Sequence, residues 1–470
     1  MRVPICVTIY IHVLKGISFT DKRYPQRVYH FNTGAHTPCA HSHSFATSST
    51  MISLLHQTKI FTSFFIFGLL NNILYVIILS AAVDLVGSAT PKGVVLLADI
   101  MPSFTFKLVA PFFIHLIPYK TRLFSLVGLS SSGMLLISLS SQLAIGIKIF
   151  GIMLASLSSG MGEVSFLQLT HFYTGGSATG DSSIGIGGFS SGTGGAGLCG
   201  SFLFMLMTNM MGISVTIVLL MFAICPLGFL ATYYLLLPPP DHEYHEIENT
   251  LFDEAAEEIG MDGGAVGRDL HATSSITRHF SATFEKIKPL IVPFMIPLST
   301  VYISEYVINQ GVAPTLLYPL EDLPRWLFTS YRDIYVVYGF LYQLGVFISR
   351  SSISFGIRIR KLYMLSLLQF INVVITIIQS MYDLPFTSIW LLLILILYEG
   401  LLGGFSYVNT FVSVSEGVPK TKREFSMGCV SVSDGMGIAI AGCINLWLEK
   451  KLCGLQVDRG RDWCLNGGSV

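Results

Sequence analysis

Apolar residues fall along this chain in runs long enough to cross hydrocarbon, divided by short polar breaks. A helix of about 20 mostly apolar residues spans a bilayer. Eleven stretches meet that description: residues 60 to 86, 93 to 118, 121 to 143, 146 to 171, 184 to 209, 211 to 237, 288 to 316, 333 to 350, 360 to 380, 386 to 411 and 424 to 448, the fifth and eighth being the weakest. They predict an all-α polytopic membrane protein of about 11 transmembrane helices in two bundles, six helices over residues 60–237 and five over 285–448.

Three segments break the pattern. Residues 1–59 are rich in His, Ser and Thr around one apolar patch, Val3 to Leu14, that Tyr10 and His12 interrupt; they read as a disordered N-terminal extension or an over-long gene model. Residues 238–284 open on Pro238, Pro239 and Pro240 and turn strongly acidic, so like charges repel, no apolar face offsets the entropy of order, and the segment reads as a linker. Within it Tyr244-His245-Glu246-Ile247 fits the tyrosine-based pattern that cytosolic sorting adaptors read, a tetrapeptide that also arises often by chance; Tyr244 and Ile247 are a candidate sorting motif. Residues 449–470 form a C-terminal tail.

Composition agrees with a membrane destination: 12% of residues are charged and mean hydropathy is +0.64, so the first partner is the lipid bilayer. Formal net charge is zero, which offers nothing to nucleic acid. Loop charge sets an orientation. If the N-terminus is cytosolic, the cytosolic loops hold Lys120, Arg122, Arg268, Arg278, Lys286, Lys288, Arg358, Arg360, Lys361, Lys420, Lys422 and Arg423, and the acidic linker is cytosolic as well. The tail then lies in the lumen, against the weight of Lys450, Lys451, Arg459 and Arg461. There Cys453 and Cys464 either pair in an oxidising compartment or stay free thiols.

Candidate chemistry sits inside the spans. A charge at the bilayer centre costs at least ~3 kcal/mol, so it usually faces a polar path within a bundle. Lys107, Glu163, Glu305, Glu399 and Asp434 are such charges. Glu163 and Glu399 lie beside glycines in the fourth and tenth spans; a buried acid can take up and release a proton as its surroundings switch, or serve as a structural carboxylic acid. Glu305 and Asn309, four residues apart, share one face of the seventh span. Asp99 and Lys107 sit two turns apart around Pro102, which suits an internal pair or gate, with Lys107 otherwise holding an anionic phosphodiester or carboxylate. Arg350, at a span end, reads as a residue snorkelling to headgroups.

The halves read as diverged copies. Gly162-Glu163-Val164-Ser165-Phe166 falls opposite Gly403-Gly404-Phe405-Ser406-Tyr407, Ser190 to Gly194 opposite Ser431 to Gly435 at the same offset, and Asn71-Asn72 opposite Asn309-Gln310. Copies in one direction make a parallel repeat, as between the halves of a major-facilitator transporter.

The segments Gly68 to Asn72, Leu96 to Ile100, Ser158 to Glu163, Ser190 to Gly197, Glu305 to Gly311, Leu397 to Gly404 with Tyr407 to Phe411, and Arg423-Glu424-Phe425 resemble the battenin family over about residues 60 to 465, in the pattern of its fungal vacuolar members. The resemblance implies a multi-pass protein of the vacuole or lysosome membrane, distantly like major-facilitator transporters, linked to luminal pH homeostasis and to vacuolar transport of basic amino acids such as arginine, and in animal members to clearance of glycerophosphodiesters. The chain departs from the family in its long N-terminal extension and in ending Asn466-Gly467-Gly468-Ser469-Val470, without the prenylation box of some animal members.

Gly192 to Gly197 literally fits G-x-G-x-x-G but lacks the strand, the soluble βαβ setting and the later acid of a dinucleotide site. Gly188, Gly192 and Gly200, with Ala196, recur every four residues as a small-residue stripe for close helix approach. Together with Gly194 and Gly197 they otherwise suit a broken helix whose amides meet an anionic substrate group. No ATP-binding, catalytic or metal-ligand spacing is present, so the expectation is a transporter or transport regulator without enzymatic activity or cofactor; the small-molecule substrate that the resemblance implies is a basic amino acid or a phosphodiester, with protons as candidate coupling ions for the buried acids. The alternative of another class is a membrane scaffold that modulates trafficking or the proton pump through the acidic linker.

Overall fold

The computed structural model describes residues 42–81, 92–140, 145–173, 184–239, 283–325, 327, 328, 331–461 and 464. Backbone contacts divide the chain into Met1–Ile52 and Ser53–Val470. In the first unit the described residues are helical, being the start of α1 (Ser42–Ser80), which thus begins inside the segment expected to be an extension.

In hydrocarbon the backbone must satisfy its own hydrogen bonds, and the described part of the second unit is helical throughout its long elements. After α1 come α2 (Lys92–Val109), α3 (Tyr119–Leu139), α4 (Ile145–Leu169), α5 (Ile184–Met205) and α6 (Val215–Leu236). The carboxyl-terminal half holds α7 (Thr283–Thr315), α8 (Tyr331–Ser351), α9 (Leu362–Tyr382), α10 (Ile389–Gly417), α11 (Lys420–Val430) and α12 (Val432–Asp458).

Among the described residues eight helices are long and apolar enough to cross a membrane, in place of the eleven spans expected. The expected second, fifth and eighth spans do form helices, α2, α5 and α8. They fall short for a chemical reason: α2 carries Lys92, Asp99 and Lys107, α5 is diluted by glycine and serine, and α8 by tyrosine and charge. These three helices lie between the halves, where polarity is tolerated: α5 packs on α8 and α2 packs on α12.

One apolar core fills each half. Ile73, Ile77, Met134, Ile152 and Val218 belong to the first, and Ile308, Phe328, Tyr338, Leu392 and Ile396 to the second. A third core draws on both, with Phe67, Phe166 and Phe189 meeting Tyr302, Tyr407 and Phe411.

Polar clamps close one end of the bundle. Arg122 reaches Gln168 Oε1 at 2.8 Å and the carbonyls of Ile114 and Ile117, the Tyr119 hydroxyl donates to Glu424 at 2.6 Å, and Arg358 pairs with Glu416 at 3.0 Å. At the other end α12 runs to Asp458, ten residues past the expected boundary at 448. Its terminus docks there: Gln456 donates to the carbonyls of Thr315 and Ser380 at 2.7 and 2.9 Å, and Arg459 and Arg461 pair with Asp383. Cys453 and Cys464 are joined in a disulfide. The candidate motif Tyr244 and Ile247, with most of the linker, lies outside the described residues.

Candidate functional site

Each functional side chain is delivered by a helix packed at the junction of the halves. The Lys107 ammonium, on α2, lies 2.5 Å from Glu163 Oε2 of α4 and 3.1 Å from both oxygens of Asp434 on α12. The last contact joins residues 327 positions apart and ties one half to the other. Lys107 is 4% and Asp434 6% exposed, so this is a buried network and not a surface pair. Its outer valences are filled: the Tyr407 hydroxyl donates to Glu163 Oε1 at 3.0 Å and the Gly435 amide donates to Asp434 Oδ1 at 2.6 Å. Two carboxylates against one ammonium leave a formal charge of −1.

The expected Asp99 to Lys107 pair is not formed. Lys107 turns toward α4 and α12, whereas Asp99 faces the interior of the amino-terminal half and has one oxygen, Oδ2, without a hydrogen-bond partner among the described residues. Two turns of helix separate them by about 12 Å along the axis, and Pro102 stands between them.

Glu305, Asn309 and Glu399 do come together. The Asn309 amide donates to Glu399 Oε1 at 3.0 Å and to its own helix at Glu305 O at 3.1 Å, and Tyr342 donates to Glu305 Oε1. Asn309 stands in a π-helical turn, Val307–Val312, a local widening that often accompanies function. Glu305 and Glu399 are 2% and 1% exposed and each keeps an oxygen without a partner; among the described residues neither pairs with a cation. Gly403 makes this close approach feasible, since a Cβ there would collide with the Glu305 carboxylate.

Arg350 was expected to snorkel outward and instead points in. Its guanidinium donates to Thr193 Oγ1 on α5 at 2.7 Å and to the Tyr302 hydroxyl on α7 at 2.9 Å, and stacks 4.2 Å over the Tyr407 ring. Tyr407 thereby touches both Arg350 and Glu163. Neither Arg350 nor Tyr407 was singled out as a site residue. A usable signal lay in α8, where Gln343 and Phe347 precede Arg350 at spacings of seven and three and share its face toward α5.

The α5 glycines divide between two neighbours. A Cβ on Gly188 or Gly192 would strike the carbonyls of Phe61 and Phe65 on α1, and one on Gly200 would lie 3.0 Å from Val76. Gly194 and Gly197 face α8 instead, against Phe347 and Gln343. The stripe thus lets α1 approach closely and the other two glycines admit α8, and within the described residues Ile184 to Met205 is one unbroken helix, with no interruption that would aim free amides at a ligand.

The comparisons with known proteins agree with this architecture. The family model described as CLN3 protein matches residues 62–455. Protein BTN1 of Candida albicans is 63% identical over 436 residues, covering 89% of this chain and 100% of that protein; Protein BTN1 of Saccharomyces cerevisiae is 44% identical over 416 residues, covering 86% and 98%. Among solved structures, the human organic anion transporter MFSD10 superposes with a TM-score of 0.53 at 12% identity, over 88% of this chain and 96% of that one. The major facilitator superfamily proton:xylose symporter XylE gives 0.51 at 12% identity, over 88% and 92%. Likeness at that identity concerns the fold alone, and the fold is like that of these two proteins. With the family match covering most of its length and relatives of this identity along nearly all of theirs, the chain belongs to the CLN3, or battenin, family of multi-pass membrane proteins.

Proposed function

We propose that this protein is a secondary transporter of the vacuolar membrane that moves basic amino acids such as arginine in exchange with protons, and so contributes to vacuole pH homeostasis. It is not an enzyme on this reading. The observation that carries it is the buried charge at the junction of the halves: among the described residues Glu163 and Asp434 share the one ammonium of Lys107, and Glu305 and Glu399 pair with no cation. An interior with surplus carboxylates and few cations favours a cationic substrate and penalises an anionic one. The Lys107 to Asp434 contact gives the alternation its switch, because an ion pair spanning two halves must break when they part.

A second reading, export of glycerophosphodiesters, has one feature in its favour. The Arg350 guanidinium makes no ion pair among the described residues, and its planar fork suits a phosphodiester. Uptake into liposomes containing the purified full chain, under an imposed pH gradient, separates the two. Concentrative uptake of labelled arginine that competes with lysine supports the first reading. Uptake of a labelled glycerophosphodiester with none of arginine replaces it with the second, and gradient-driven uptake of neither would reject both.

A further inference from the structure

A second polar place, apart from the Lys107 cluster, is lined by the amino-terminal half and borders α7 through Tyr75. Asn71 and Tyr75 of α1, Asp99 of α2, Ser130 of α3 and Ser159 of α4 line a small cavity that Phe229 of α6 closes. It offers about 10 Å³, room for one particle the size of a water. An amino acid or a phosphodiester is far too large for it.

Asp99 is 3% exposed, and its Oδ2 has no hydrogen-bond partner among the described residues. No cationic side chain pairs with it among them either: Lys107 is held by Glu163 and Asp434. The serine hydroxyls around it donate to other groups, and the Asn71 amide directs one hydrogen elsewhere. The Asn71 amide donates to Ser159 O at 3.1 Å, the Ser159 hydroxyl to Asn71 O at 3.4 Å and the Ser130 hydroxyl to Ser158 Oγ at 2.7 Å. The hydroxyls therefore turn lone pairs, not protons, to the space they share with the carboxylate. A carboxylate with neutral oxygens around a water-sized hole is the ligand chemistry of a small, hard cation. An uncompensated carboxylate at this depth would be costly, and one bound positive charge removes that cost.

We infer that Asp99, with the oxygens of Ser130, Ser159 and Tyr75, forms an ion site for one small monovalent cation, a proton or a sodium ion, distinct from the cluster at Lys107. Tyr75, with Tyr306 of α7 next to it, is the titratable group that shares the cavity; the charges of the helices packed on α2, Glu163 and Asp434, are engaged with Lys107. On the transport reading above this ion is the coupling ion, although its binding does not depend on that reading. Asn71 abuts α4 at Ser159 and Gly162, as Asn309 abuts α10 at Glu399, so in each half an asparagine of the first helix seats against the fourth.

The test uses the purified full chain in detergent with two probes read without transport: equilibrium dialysis of radiolabelled sodium, and infrared difference spectra of the carboxylic C=O stretch through a pH titration. Saturable sodium binding that falls on the order of tenfold or more in Asp99→Asn, while Glu163→Gln keeps it, assigns the site to sodium. A titrating carboxylic band that Asp99→Asn removes, with no sodium binding, assigns it to the proton. Should Asp99→Asn fail to fold, Ser130→Ala serves instead and is expected to weaken sodium binding or displace the band. Neither probe responding to Asp99→Asn, or to Ser130→Ala in its place, overturns the inference. Wild-type protein that binds the ion but shows no flux in liposomes counts against the transport reading alone; wild-type flux with no ion binding counts against the Asp99 site alone.

Discussion

Replacing Lys107 with Met removes the ammonium that bridges Glu163 and Asp434 at 2.5 and 3.1 Å and leaves two buried carboxylates facing each other. Breaking a buried pair by deleting one partner costs about 3–5 kcal/mol, because the remaining charge has lost both water and counter-ion. The lower end applies here. The Tyr407 hydroxyl still donates to Glu163 and the Gly435 amide to Asp434, so neither acid is wholly abandoned. Adding Asp434→Asn takes away one of the two negative charges and returns the site to its original net charge of −1. Contacting residues couple by about 0.5–3 kcal/mol, so the double variant should recover about 1–2 kcal/mol of the loss. The assay is equilibrium unfolding in mixed micelles, with Lys107→Met, Asp434→Asn and the pair measured under one lipid and detergent composition. A cost below about 1 kcal/mol for Lys107→Met, or a double variant equal to the sum of the singles, would refute the reasoning that these groups form one buried network.

Three further outcomes follow from particular contacts. Gly192→Val should prevent α1 and α5 from closing, because its Cβ would meet the Phe65 carbonyl, whereas Gly128→Ala, with open space around it, should change thermal stability by less than about 1 kcal/mol; thermal unfolding of both checks this. Arg350→Lys should behave nearly as badly as Arg350→Ala in transport, since one ammonium cannot reach Thr193 and Tyr302 while stacking on Tyr407; equal flux for Arg350→Lys and wild type would contradict it. Cys453→Ser should cost about 2–3 kcal/mol through the short loop it opens, and a non-reducing peptide map should recover the two cysteines in one linked pair of peptides from the unaltered protein.

Membrane class was legible in the run lengths, since hydrocarbon thickness sets a helix length that composition alone reports. The buried charges were legible too, because a lysine or glutamate amid leucines stands out in one dimension. What charge would meet what was not. Lys107 offers Asp99 on its own helix as the local partner, yet the ammonium turns to Asp434, 327 residues away, which depends on how α2 and α12 cross. Arg350 misled for a related reason: a terminal arginine snorkels when its face meets lipid, and only the packing of α8 against α5 and α10 turns that face inward. Apolarity likewise understated α2, α5 and α8, whose polar content suits helices that pack on protein between two halves.

The central claim is that acids buried between the halves carry protons for a cationic substrate. The most direct measurement is arginine flux in liposomes holding wild type, Glu163→Gln, Glu399→Gln or the double variant, each assayed for pH-gradient-driven uptake and for arginine exchange at equal pH. The account predicts uptake driven by the gradient in wild type and its loss in the double variant. Gradient-driven arginine uptake of unchanged rate and unchanged proton dependence in both single variants and in the double would contradict it.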